Sequence, residues 1–220
     1  AQLAENSQGT GGKTTVGNPN LDPESSITYD AGIGYERPQA GFNMDVTYFH
    51  TDIEDKIIKQ TTGLVTTYEN SLGAQISGME YLVSFNLGTP LKLGRSLTFF
   101  VNGTRIFNAQ EEQTDHTMKD TQNVANHTIN YGVSYDDGLI QARLNARSQG
   151  MMKDTDYNAA GSPEVTYPGF TVVDLSAGVN FMDHHKIMIK IDNLLGHDYY
   201  EKKGFPKPGQ SFSVSYRVAF

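Results

Sequence analysis

Apolar and polar residues alternate along most of this chain. The alternation recurs in nine stretches, which are separated by segments rich in glycine, proline and aspartate. The apolar positions, taken at every second residue, run through 27–35, 42–48, 79–85, 97–101, 129–135, 140–146, 173–181, 187–191 and 212–220. Because successive side chains of a β-strand point to opposite faces, this period predicts nine strands, each with one face in an apolar medium. Helix signals are nearly absent, and we predict an all-β fold.

The connections between the predicted strands alternate in length. Short links fall at about 37–41, 88–94, 136–138 and 182–185, and long ones at about 53–75, 108–126, 149–168 and 194–210. A transmembrane β-barrel has short turns on its periplasmic side and longer loops on its extracellular side. A soluble β-sandwich with Greek-key links has no reason to keep this strict order. The order therefore favours an antiparallel transmembrane barrel.

The second face of the predicted strands is polar. It carries Asp30, Asn43, Asp45, Thr47, Glu80, Ser84, Asn102, Asn130, Ser134, Gln141, Arg143, Asn145, Arg147, Asp174, Lys190 and Asp192. A water-filled lumen suits such a face, whereas a sandwich core would cost several kcal/mol for each unpaired charge. Tyrosine and phenylalanine lie towards the ends of the apolar stripes, as in interfacial aromatic girdles. Both features favour the membrane interpretation.

Composition narrows the possible functions. The 220 residues include 17 Lys plus Arg against 25 Asp plus Glu, and this acidic balance argues against a duplex nucleic-acid partner. The absence of cysteine excludes a disulfide scaffold, a thiolate metal site and a catalytic cysteine. The neighbours His184 and His185 would point to opposite faces of a strand, and His116 fits no metal-binding spacing. No catalytic motif is present, so we predict no enzyme activity, no cofactor and no metal.

Several strings along the chain look like one known family. They are residues 18–25 (NPNLDPES), 48–57 (YFHTDIEDKI), 78–80 (GME), 173–175 (VDL), 191–200 (IDNLLGHDYY) and 208–210 (PGQ). In order and spacing they resemble the C-terminal barrel portion of TonB-dependent outer-membrane receptors, from about residue 18 onward. One departure is Gln210, which stands where the family usually has arginine, and it leaves any ion pair of that arginine in question.

The resemblance implies a location and an extent. The nine strands would be the last of a 22-stranded barrel in the bacterial outer membrane, and an odd count fits a part, since bacterial single-chain barrels have an even number. Residues 1–23 would be an extracellular loop remnant, and 24–220 the C-terminal part of the transmembrane barrel. The plug domain and the segment that contacts the TonB complex would lie upstream.

The resemblance also implies a function. It predicts active import of a scarce ligand, in the first place a ferric siderophore, with cobalamin, haem, other metals and glycans left open. Implied partners are outer-membrane lipid and lipopolysaccharide, the TonB complex through the plug region, and the barrel-assembly machinery. Two alternatives remain: a passive porin-like channel and a soluble β-sandwich binding module.

Six residues are candidates for ligand contact. Arg143 and Arg147 share the polar face of the sixth predicted strand, where they would attract an anionic iron chelate or pair with carboxylates of the lumen or plug. Tyr157, Tyr167, Tyr199 and Tyr200 occur in long connections, where they would stack on a ligand or simply pack.

Two further features face the lipid in this interpretation. Arg105 falls in the outward register near the extracellular rim, where it would meet a lipopolysaccharide phosphate or only extend its charge into water. The last predicted strand presents Phe212, Val214, Tyr216, Val218 and Phe220 on one face. This stripe would be a signal that the barrel-assembly machinery recognises by strand pairing, or an ordinary edge strand.

Overall fold

The computed structural model of the chain describes residues 7–8, 14–70, 72–113, 116–156, 159–161, 163–182, 184–201 and 205–219. In these ranges the regular structure is β-strand, apart from one short 3-10 turn at Pro38–Ala40. A search of the same residues finds no helix with the length and apolar character needed to cross a membrane. The all-β prediction is confirmed.

Sixteen strands occur in the described residues. They are β1 (Ser7–Gln8), β2 (Thr14–Thr15), β3 (Ser25–Arg37), β4 (Phe42–Glu54), β5 (Ile57–Thr62), β6 (Val65–Asn70), β7 (Gly73–Asn86), β8 (Ser96–Glu112), β9 (Met118–Asp120), β10 (His127–Asp136), β11 (Ile140–Gln149), β12 (Met152–Thr155), β13 (Glu164–Tyr167), β14 (Phe170–Phe181), β15 (His185–Asp192) and β16 (Ser211–Val218).

Nine of these strands form one hydrogen-bonded path. Its order is β3, β4, β7, β8, β10, β11, β14, β15, β16, which is the order of the chain, and β9 pairs with β8 beside it. These are the nine strands predicted from the alternation, so that count is confirmed in the described part of the chain. The long connections contain further strands, which the alternation did not indicate: β5 and β6 form a hairpin, and so do β12 and β13.

The chain divides into two compact units. The first comprises residues 1–30, 49–77 and 108–121, and the second comprises 31–48, 78–107 and 122–220. In the first unit β6 pairs with β5 on one side and in parallel with β2 on the other, while β9 pairs with residues 110–112 of β8. In the second unit β8, β10, β11, β14, β15 and β16 pair in succession, each antiparallel to the next.

The strand registers of the second unit align the apolar stripes into rows. One row contains Phe99, Val133, Leu144, Leu175, Ile191 and Phe212, and the next contains Leu97, Tyr135, Ala142, Ala177, Ile189 and Val214. Much of this face is open, since Phe99 is 49% exposed and Phe212 is 65% exposed. A contiguous exposed apolar surface of this kind is what a lipid-facing wall presents. We call it the outward face.

The opposite surface, which we call the lumen face, is polar along the same strands. A row across six strands contains Thr98, Ser134, Arg143, Ser176, Lys190 and Ser213. The two faces therefore separate as the alternation predicted. A one-residue slip in any pairing would move every apolar side chain of that strand to the lumen face.

The turn between β10 and β11 sets one of these registers. The Asp137 Oδ1 atom accepts hydrogen bonds from the backbone N–H groups of Leu139 (3.0 Å) and Ile140 (2.7 Å). Asp136 accepts one from the N–H of Gly138, which has a φ of 88°, in the left-handed region that glycine adopts without a steric penalty. These bonds account for the short link predicted at 136–138.

Candidate functional site

A left-handed turn at Asn193 joins two of the strings that carry the family resemblance. Asn193 has a φ of 52° and is only 3% exposed. Its backbone N–H donates to Asp174 Oδ1 (2.9 Å), its Nδ2 donates to the His197 carbonyl, and its Oδ1 accepts from the His197 N–H, both at 2.9 Å. Asparagine tolerates this backbone conformation better than most residues. The turn fixes the direction in which the last long connection leaves β15.

Gln210 closes the other end of this connection. Its Nε2 donates to the Leu194 carbonyl at 2.8 Å, so a neutral amide contact occupies the place where the family usually has arginine. Between these ends the backbone pairs with itself, because the Lys207 N–H donates to the Tyr199 carbonyl and Tyr200 forms a bridge with Pro206. The connection therefore folds back on itself and presents residues 199–201.

Arg147 is the centre of a cluster on the lumen face. Its Nη1 lies 3.2 Å from Glu201 Oε1, and its Nη2 donates to the Tyr199 hydroxyl at 3.3 Å. The guanidinium also lies over two aromatic rings, 5.4 Å from the Phe170 centroid and 5.8 Å from that of Tyr199. We call Arg147, Phe170, Tyr199, Glu201 and Lys207 the Arg147 cluster. The carboxylate that pairs with Arg147 is Glu201 of the last long connection, which is about one-third exposed.

The other candidate residues divide between this cluster and its surroundings. Tyr199 packs on Phe170 with 4.6 Å between ring centroids, while Tyr200 meets Tyr167 edge to face at 5.7 Å. Tyr167 is 4% exposed, so its ring serves to hold Tyr200. Arg143 lies apart from the cluster, with its guanidinium 4.2 Å from the Phe100 ring centroid. Tyr157 lies outside the described residues.

A cavity of about 550 Å³ borders the cluster at Glu201. Its polar lining includes Thr104, Thr128 and Gln149 from the lumen face, and Asn123 from the connection before β10. The sequence reasoning had not singled out these residues or Glu201. The sequence gives only a weak indication of them. Thr104, Thr128 and Gln149 fall on polar positions of the alternation, but the alternation does not indicate a concave site. The volume lies in the range of pockets for small molecules.

Glu201 is held between two cations. The Lys207 ammonium lies 2.6 Å from Glu201 Oε2 and lowers the pKa of this carboxyl below its ordinary value. Burial raises the pKa, and the hydrogen bond from Arg147 lowers it further. The carboxylate therefore stays charged near neutral pH. With two cations around one anion, these three groups keep a net positive charge.

Protonation of Glu201 should loosen the last connection. A carboxyl whose folded pKa is lowered contributes stability that is present above its unfolded pKa, about 4.3, and is lost as the pH falls through the lowered value. We expect amide hydrogen exchange in residues 199–201 and 207 to be slower than in Glu201→Gln above about pH 4. The difference should vanish at more acidic pH. A constant difference across this range would contradict the assignment.

The histidines do not form a metal site in the described part of the chain. No group of three or more His, Cys, Asp and Glu residues is arranged to hold a metal ion among those residues. The His185 ring stacks between Phe181 and Tyr216, with its Nδ1 at 2.5 Å from the Tyr216 hydroxyl. His116 pairs with Glu112 at 2.9 Å, and its neighbour Asp115 is not among the described residues.

The antiparallel sheet with one apolar and one polar face, and with short and long connections in alternation, defines the chain as a segment of an outer-membrane β-barrel. A model of the family "TonB dependent receptor-like, beta-barrel" matches residues 1–194, and the chain belongs to this family. The predicted fold class, family and outer-membrane location are confirmed. The alternative of a soluble β-sandwich module does not stand.

Similar proteins match this chain over part of their own length. An iron-regulated outer membrane virulence protein of Vibrio cholerae is 23% identical over 97% of this chain and 34% of its own length. The vitamin B12 transporter BtuB of Vibrio cholerae is 22% identical, over 94% of this chain and 31% of its own. The crystal structure of the siderophore receptor PirA from Acinetobacter baumannii superposes with a TM-score of 0.74 at 19% identity, over 94% of this chain and 33% of PirA. The chain thus spans about a third of the length of its relatives.

Proposed function

We propose that this chain is the C-terminal barrel portion of a receptor that imports a scarce ligand by active transport. The Arg147 cluster beside its cavity is the observation that supports ligand capture most directly. A ferric siderophore is the first candidate, because ferric chelates of this class are commonly anionic and the cluster has a net positive charge. The role is transport and not catalysis.

Arg147, Tyr199 and Tyr200 would have distinct roles in this site. Arg147 would donate to ligand oxygens with its fork of N–H groups, in exchange for its contact with Glu201. The Tyr199 and Tyr200 rings would supply flat apolar contact, while Tyr167 supports Tyr200 from below. Arg143 would act at longer range, since its guanidinium already lies over Phe100.

The remaining parts of the proposal concern domains and partners. Residues 1–23 would end an extracellular loop, and 24–220 would form barrel, with the TonB complex acting through a plug domain elsewhere in the receptor. Phe212, Val214 and Tyr216, each more than half exposed on the outward face of β16, would be read by the barrel-assembly machinery. Val218 continues the same register, and Phe220 lies outside the described residues. Lipopolysaccharide would contact the outward face.

Uptake by the complete receptor that contains this chain tests the function. Arg147→Ala removes a charge-assisted contact worth about 1.5–3 kcal/mol, so we expect at least about tenfold weaker binding of radiolabelled ferric siderophore. Glu201→Gln should weaken binding less than Arg147→Ala does, because it loosens the last connection but leaves the Arg147 guanidinium in place. Arg217→Ala is the matched control, since Arg217 is an exposed arginine on β16 away from the cluster.

Two results would contradict the proposal. Unchanged binding in Arg147→Ala, with the control also unchanged, would remove Arg147 from the ligand site. Uptake that persists at the full rate in cells without TonB would favour the alternative of a passive porin-like channel. Since one relative is named a vitamin B12 transporter, radiolabelled cobalamin is the second ligand to test.

A further inference from the structure

The outward face of the second unit changes chemistry over three successive rows. The first contains Val101, Tyr131, Ala146 and Val173, and the second contains Gly103, Ile129, Ser148 and Thr171. The third begins with Arg105 opposite His127. Apolar side chains thus give way to hydroxyls and then to nitrogen groups within two rows. Such a gradient marks the depth at which a lipid-facing surface leaves the hydrocarbon and meets headgroups.

Arg105 and His127 form a defined pair in the third row. The Arg105 Nη1 lies 3.5 Å from the His127 Nδ1. A guanidinium only donates, so a neutral His127 ring that accepts this contact at Nδ1 carries its proton on Nε2. The Nε2–H is therefore a donor available to an outside acceptor. Both side chains then offer donors on the same surface.

Small residues shape the surroundings of this pair. A Cβ on Gly150 would lie 2.6 Å from His127 Nδ1, so only glycine at this position leaves the imidazole where it is. In the second row, a Cβ on Gly103 would lie 3.1 Å from the Tyr81 hydroxyl. The missing side chain of Gly103 therefore leaves space beside which this hydroxyl lies. The two glycines thus leave room for the His127 imidazole and the Tyr81 hydroxyl on the outward face.

The charge of Arg105 is not neutralised within the described residues. The side chain is exposed, its polar contact is with His127, and among the described residues no carboxylate forms an ion pair with it. Arginine without a carboxylate is suited to phosphate, which it binds through two parallel N–H groups. Simple extension of the side chain into water would need neither the paired histidine nor the two glycines.

We propose that Arg105 and His127, with the Tyr81 hydroxyl nearby, bind a phosphate group of the outer-leaflet glycolipid, lipopolysaccharide. The occupant follows from charge complementarity and from position, because its acyl chains would lie along the apolar rows that continue from this site. The inference gives a site to the lipid contact proposed above and rests on that part of the proposed function. It is independent of ligand import.

Native mass spectrometry of the complete receptor in detergent tests the proposal. The probes are lipid A with its phosphates and lipid A from which both phosphates have been removed. We expect the wild type to retain phosphorylated lipid A, Arg105→Gln to bind it about tenfold more weakly, and Arg105→Lys to fall between them. Arg217→Gln, on the lumen face, is the control and should bind like the wild type.

Several outcomes would overturn the proposal. Equal retention of the two lipid A forms by the wild type would show that acyl chains alone are recognised. Wild-type retention by Arg105→Gln would remove the arginine from the site. Heat-modifiable mobility in gels confirms that each variant is folded. If Arg105→Gln does not fold, the test uses Arg105→Lys and His127→Phe, and full retention of lipid A by both would count against the pair. Siderophore uptake measured on the same variants should be unchanged, which separates this proposal from import.

Discussion

Leu144→Arg in the complete receptor is expected to lose about 2–4 kcal/mol of folding free energy, the range for a cation placed on the lipid face near the bilayer midplane. Leu144 lies in the middle of the outward row that runs from Phe99 to Phe212, and it is 41% exposed. No polar group of its row offers the new guanidinium a partner. The loss should appear as a lower denaturant midpoint for the receptor refolded in lipid vesicles.

Asn145→Arg is the matched control for this prediction. Asn145 is the next residue, points to the lumen face and lies opposite Asp174 in β14. A guanidinium there meets water and a carboxylate, so we expect a change within about 0.5 kcal/mol, as for most surface substitutions. If both variants were destabilised equally, the assignment of the two faces would be wrong.

Asn193→Ala is expected to destabilise the last connection by about 3 kcal/mol. Loss of the two buried side-chain bonds to His197 costs about 1 kcal/mol each, and alanine in the left-handed conformation costs about 1 kcal/mol more. Amide exchange in residues 193–201 should rise accordingly. Because Tyr199 and Tyr200 follow the turn, the ligand binding proposed for the Arg147 cluster should weaken as well.

Asn123→Ala separates the backbone effect from the hydrogen bonds. Asn123 has a φ of 62°, close to that of Asn193, but its side chain is exposed. We therefore expect only the backbone cost, about 1 kcal/mol. A loss at Asn193 no larger than at Asn123 would mean that the side-chain bonds contribute nothing.

The strands of the sheet were predictable because lipid and water lie on opposite sides of them. That environment imposes a period of two on the sequence, as in 129–135 and 140–146, and the registers then follow from matching the stripes. The length of β8 was not predictable. This strand extends to Glu112, whereas its apolar stripe ends near Val101. Residues beyond the lipid face water on both sides, so they lose the alternation while the backbone pairing continues.

The candidate site was predictable only in part. Arg147 stood out as a cation on the polar register, and Tyr199 as a tyrosine in a long connection. The hydrogen bond between Arg147 and Tyr199 joins residues that are 52 positions apart in the chain. It depends on the turn at Asn193 and on the fold of the last connection, neither of which leaves a periodic pattern. Glu201 and Phe170 were missed for the same reason, and no periodic pattern indicated that Tyr167 would be buried against Tyr200.

The turn between β10 and β11 has a consequence for the order in which the sheet forms. It closes a pairing of nine residues on each strand across four residues, 137–140, and its contacts are local in sequence. Closing so short a loop costs little chain entropy, and isolated hairpins form in about 1–10 μs. The β10–β11 hairpin is therefore a local unit that closes at little entropic cost, and β8 and β14 pair on its two sides.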